Sequence, residues 1–79
     1  MEKEVIVYST PFCAPCEHLK KFLSEEGVEF KVKDLMMDKE AAELMEERGV
    51  RSAPALGIDG KILSGPDLNA DNLRKELNL

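Results

Sequence analysis

Val5, Ile6, Val7 and Tyr8 form an unbroken apolar run rich in β-branched residues, the pattern of a strand buried on both faces. Residues 9–12, with Pro11, break it. From residue 14 to about 26 the period changes. Leu19, Phe22 and Leu23 recur at i, i+3 and i+4 between polar positions, which predicts an amphipathic helix, and Gly27 stands where a helix C-terminal stop is expected. Val28, Phe30 and Val32 then alternate with charged residues, predicting a second strand over 28–32 with these three on one face. A strand–helix–strand succession makes the two strands parallel neighbours joined by a right-handed crossover.

Asp38 is placed to cap a second helix running to about residue 48. Ala41, Leu44 and Met45 are its apolar stripe, Gly49 its stop and Val50 the hydrophobic contact that accompanies such a stop. Residues 55–58 and 61–64 flank Asp59-Gly60, a dipeptide suited to the positive φ angles of a tight hairpin turn. Gly65-Pro66 closes the hairpin. A final helix starts between residues 67 and 71 and buries Leu73 and Leu77. The order is βαβαββα. A four-stranded mixed sheet flanked by three helices, with helices on both faces, satisfies every apolar stripe, so the class is α/β.

Composition narrows the function classes. At 79 residues, 43% hydrophobic and 34% charged, the chain has the profile of one globular domain over residues 1–79. A formal net charge of −5 argues against a nucleic-acid partner, which needs a basic surface to displace counterions, and against docking on anionic lipid. No apolar run approaches a membrane span. The charged start, residues 1–4, leads directly into the first strand rather than into a signal sequence. The expectation is a cytoplasmic monomer.

The chemistry concentrates at Cys13-Ala14-Pro15-Cys16. The pair follows a strand and opens a helix, so Cys13 falls near a helix N-terminus, where free N–H groups and the positive end of the helix dipole favour a thiolate. The thiolate is the attacking species in disulfide exchange. Pro15 suits the first helical turn. Cys16 lies one turn further in, less exposed and close enough to resolve a mixed disulfide formed at Cys13. Cys13 is thus the candidate nucleophile and Cys16 the candidate resolving cysteine. Two ordinary core cysteines fit this placement poorly. A structural zinc site needs four ligands, and His18 extends the pair only to an awkward C-x-x-C-x-H. An iron–sulfur or other metal-binding redox module using the same cysteines remains the alternative of a different class. The second constellation is Ala53-Pro54, between a helix and a strand. The bond is either a plain turn proline or a cis peptide. A cis proline facing the cysteines would offer the Ala53 N–H and C=O to an incoming peptide in the manner of a β-strand.

Three segments carry a family resemblance: Val7-Tyr8-Ser9-Thr10-Pro11-Phe12-Cys13-Ala14-Pro15-Cys16, then Arg51-Ser52-Ala53-Pro54, then Ile58-Asp59-Gly60-Lys61 to Ser64-Gly65-Pro66-Asp67-Leu68. In this order they resemble glutaredoxins and, equally, the short NrdH-type redoxins that reduce ribonucleotide reductase. The resemblance covers nearly the whole chain. It implies the thioredoxin-like fold, a cis bond at Ala53-Pro54 and a Gly65-Pro66-Asp67 loop beside the nucleophile, where glutaredoxins hold glutathione. With Phe12 read from its place before the nucleophile as a candidate partner contact, the candidate substrate-binding residues are Phe12, Ala53, Pro54, Gly65, Pro66 and Asp67. It implies no bound cofactor and no metal, with glutathione or a flavin-dependent reductase such as thioredoxin reductase as electron donor. Protein disulfides are then the substrates, ribonucleotide reductase among them, with glutathione mixed disulfides as the alternative.

The departures from the glutaredoxin pattern have a direction. Thr10 stands where a basic residue is usual, and Ser64 and Leu68 thin the usual paired Gly and paired Asp. Both weaken a site for an anionic tripeptide. Ala14-Pro15 puts proline second, as in thioredoxins, which points to a more reducing couple. Phe12 takes the place of the thioredoxin tryptophan and is either an exposed partner contact or packed back on the domain. Tyr8 reads as core. His18 reads as a surface residue and Glu17 as solvated. Met36, Met37 and Met45 read as core filling or as the loop before the second helix. Arg48 serves its helix end, and Arg51 is available to an anionic substrate tail.

Overall fold

The first apolar run becomes strand β1 (Val5–Ser9). In the computed structural model, which describes residues 4–50, 53–65 and 68–77, it is followed by α1 (Ala14–Glu25), β2 (Lys31–Asp34), α2 (Lys39–Glu47), β3 (Ala55–Ile58), β4 (Lys61–Ser64) and α3 (Ala70–Leu77). The strands form one sheet in the order β2-β1-β3-β4. β1 pairs parallel with β2 and antiparallel with β3, and β3 pairs antiparallel with β4. This is the βαβαββα arrangement expected from the sequence. No helix among the described residues is long and apolar enough to cross a membrane.

The sheet carries a core on each face. On one side Val7, Leu56 and Leu63, which are cross-strand partners, pack with Leu19 and Leu23 of α1 and Leu73 of α3. On the other, Tyr8 and Ala55 pack with Ala41 and Met45 of α2. Tyr8 is therefore core, as read. Gly57 packs closely there: a Cβ at that position would sit 3.1 Å from the Tyr8 ring, which would have to give by a few tenths of an ångström.

Helix ends follow the side-chain chemistry. The Asp38 carboxylate accepts the Ala41 N–H at 3.0 Å and caps α2. Replacing Asp38 with Ala leaves that N–H without its acceptor and is expected to cost about 1 kcal/mol, measurable by urea unfolding. Gly27 takes φ +74° after α1, and the Val28 N–H returns to the Leu23 carbonyl at 2.9 Å, the bonding of a left-handed helix stop.

Two expectations are corrected. The second strand starts at Lys31, not at residue 28. Val28 is taken up by the helix stop, and both Val28 and Phe30 pack against the core outside the ladder. Val32 pairs with Val7 but lies on an edge strand, so 48% of it stays exposed. The last helix begins at Ala70, within the expected interval, with the Asn69 side chain accepting the Asn72 N–H at 2.8 Å. Leu73 is buried there, while Leu77 is only partly covered. Arg51, Ser52, Pro66 and Asp67 lie outside the described residues.

Candidate active site

β1 delivers the chain at its C-terminal end to the turn that precedes α1. Phe12 sits in this turn with φ +59°, a left-handed conformation uncommon for a bulky residue. Its ring is fully open to solvent, so the choice left by the sequence resolves toward exposure. Cys13 then takes an extended conformation as the N-cap of α1, and Pro15 occupies the first helical turn. The Cys16 N–H donates to the Cys13 sulfur at 3.1 Å. That N–H is one of the helix's otherwise unpaired donors. Cys13 and Cys16 are joined as a disulfide, with their Cα atoms 5.2 Å apart. Cys13 is half-buried and Cys16 is 1% exposed, so an incoming group meets Cys13 first.

Two neighbouring segments complete the site. The loop after β2 is tied to the end of β1, just before the cysteine turn, where the Leu35 N–H donates to the Ser9 carbonyl at 2.8 Å. Beyond that bond Met36 and Met37 are 72% and 84% exposed. Of the three methionines weighed, only Met45 is core. The other segment is Ala53-Pro54, whose peptide bond is cis. The Tyr8–Ala55 register places it beside the end of β1.

Two grooves meet at Ala53. One, of about 850 Å³, runs between the cysteine turn and α2 and is bounded by Thr10, Phe12, Cys13, Leu35, Glu46 and Ala53. The other, of about 560 Å³, runs between α1 and α3 past Pro15, His18, Ala53, Pro54, Gly65 and Leu68. The structure thus brings Phe12, Cys13 and Ala53 together on one groove and Pro54 and Gly65 on the other, while Pro66 and Asp67 lie outside the described residues. Leu35 and Glu46 were not anticipated from the sequence.

The charged candidates settle into modest roles. Glu17 pairs with Lys20 at 2.7 Å and is largely solvated. His18 is exposed along the second groove. Arg48 is the C-cap residue of α2 and lines a small depression with Glu4 and Asp59, apart from the cysteines. Among the described residues no three His, Cys, Asp or Glu side chains converge as a metal site. A buried thiol one helical turn behind a more accessible one, both at a helix N-terminus, is an arrangement suited to thiol–disulfide exchange.

Comparison with known proteins agrees with this geometry. Residues 5–63 match the Glutaredoxin family. A glutaredoxin of Vernicia fordii is 34% identical over 67 residues, covering 80% of this chain and 64% of its own. The first three curated relatives are matched over only 60–66% of their length, so the chain spans less than two thirds of them. Among solved structures, the thioredoxin-like protein BC3987 superposes with a TM-score of 0.81 at 29% identity, covering 94% of this chain and all of that one. A buckwheat glutaredoxin–glutathione complex superposes with a TM-score of 0.75 at 22% identity, over 96% of this chain and 77% of that one.

Proposed function

The chain belongs to the glutaredoxin family, and from that premise we propose that it is a dithiol–disulfide oxidoreductase whose substrates are protein disulfides. The observation that carries this reading is the asymmetry of the pair. Cys13 caps α1 on the wall of an open groove, and Cys16 is buried one turn behind it.

In the dithiol state the Cys16 N–H that now meets the Cys13 sulfur faces a thiolate, which it stabilises. That thiolate attacks one sulfur of the substrate disulfide. A Cys13–substrate bond forms, and the other substrate sulfur leaves as a thiolate and takes up a proton. The Cys16 thiolate then attacks the Cys13 sulfur and expels the second substrate thiol. Two electrons pass to the substrate and the Cys13–Cys16 disulfide remains. Ala53, joined to Pro54 by the cis peptide bond, borders the groove in which the mixed disulfide would lie.

Protein substrates are favoured over glutathione on two counts. Neither groove has a lysine or arginine among its described lining residues, whereas glutathione brings two carboxylates. Phe12 is exposed in the cysteine turn, and Met36 and Met37 are exposed in the loop that follows the groove residue Leu35; exposed apolar groups mark protein contact surfaces. The donor is then a flavin-dependent reductase of the thioredoxin reductase type, the setting is the cytoplasm, and ribonucleotide reductase is one candidate substrate through the NrdH-type resemblance. Steady-state assays with glutathione and its reductase against thioredoxin reductase test the donor. Faster turnover with the flavoprotein is expected, and equal or faster turnover with glutathione rejects the preference.

Phe12 supplies a separate check. Phe12→Ser removes an aromatic contact whose burial in a complex is worth about 1.5–3 kcal/mol. It is expected to lower kcat/KM for insulin disulfides by about tenfold or more, with a much smaller loss for hydroxyethyl disulfide.

A further inference from the structure

Among the described residues that line it, the groove that holds Cys13 carries one charged side chain. Its described walls are Thr10, Phe12, Leu35, Val50, Ala53 and the inward side of α2, and the charge is Glu46. Ala42, Met45 and Glu46 reach this groove from one face of α2, at i, i+3 and i+4, and Gly49 from the stop that follows the helix. Glu46 is exposed and takes part in no ion pair among the described residues.

Its surroundings reinforce its sign. Glu43 and Glu47 are exposed on the same helix. Arg48 turns to the separate depression with Glu4, Ile6 and Tyr8. Lys39 lies two turns away toward the start of α2, about 10 Å along the axis. Glu46 is exposed to solvent, so its attraction for a substrate cation is that of a surface charge, modest and weakened by salt.

We infer that this groove selects protein disulfides with a lysine or arginine beside the reacting cysteine, and that Glu46 is the residue that reads that charge. The inference rests on the oxidoreductase reading above and deepens it. The occupant is a polypeptide segment laid from Cys13 toward α2, apolar where it meets Leu35 and Val50 and cationic where it meets Glu46. A segment carrying carboxylates there meets repulsion instead.

The test uses two synthetic peptides, each closed by one disulfide and differing only in Lys or Glu next to a cysteine. The pre-reduced protein, freed of reductant, reacts with each in single turnover. The Lys/Glu rate ratio is divided by the ratio measured with dithiothreitol, which removes the intrinsic reactivity of the peptides. A normalised ratio of about fivefold is expected for the unmodified protein at low salt, falling toward one as salt is raised. Glu46→Gln should reduce the ratio, and Glu46→Lys should invert it. A normalised ratio of one in all three proteins overturns the inference and leaves the oxidoreductase reading standing. Failure to reduce either peptide overturns that reading and the inference with it.

Discussion

Replacing Cys13 with Ser is expected to reduce disulfide reductase activity to background, a loss of at least about 10³-fold. A serine hydroxyl at this position is neither ionised near neutral pH nor able to form the covalent sulfur intermediate. The fold should survive, because Cys13 is half-buried at the end of a turn and a serine oxygen can still cap the helix. Cys16→Ser should behave differently. Cys13 keeps its accessible position and its approach to substrate, but the second displacement is lost. This variant should accumulate a mixed disulfide with a protein substrate and stop turning over. Intact-mass analysis separates the two cases: an adduct on Cys16→Ser and none on Cys13→Ser. The reverse pattern would exchange the roles assigned to the two cysteines.

Leu56→Ala should have the largest effect on stability. Leu56 is fully buried in the middle of β3, with Val7 and Leu63 beside it on the flanking strands and Leu19 and Leu23 packed over them from α1. Truncation removes three carbons where two strands and a helix converge, so the space cannot close without moving several elements. The expected cost is about 2–5 kcal/mol. That is a large fraction of what a domain of this size possesses, and the thermal midpoint should fall by at least about 10 °C. A change of a few degrees in a circular-dichroism melt would show that this packing is looser than the buried areas imply.

Much of the architecture was legible because local chemistry and global packing agree. Asp38 announces a helix start, and its carboxylate makes that cap. Asp59-Gly60 announces a tight turn, and both residues adopt positive φ. The second strand was misplaced for a definable reason. Alternation reports burial, not pairing, and Val28 and Phe30 are covered by the core before the ladder begins.

The site was legible where it is contiguous. The cysteines, the preceding Phe12 and the Ala53-Pro54 turn announce themselves by motif. Whether Phe12 points outward depends on a backbone sign that its neighbours do not encode. The far wall of the groove, Leu35 and Glu46, is brought to Cys13 only by the crossover through β2 and the packing of α2. In sequence Glu46 is one more acidic residue in a helix rich in them. The Met36-Met37 pair, falling before the capped helix and outside any strand, was the one available signal that this loop faces outward.

The proposed reaction is a two-electron exchange at one pair of sulfurs, and thiol counting tests it directly. The fully reduced protein, freed of reductant, is mixed with excess insulin under anaerobic conditions, and thiols on each partner are counted. The prediction is that each chain loses both of its thiols and opens one insulin disulfide, ending with Cys13 and Cys16 joined. Retention of both thiols with insulin intact would contradict it.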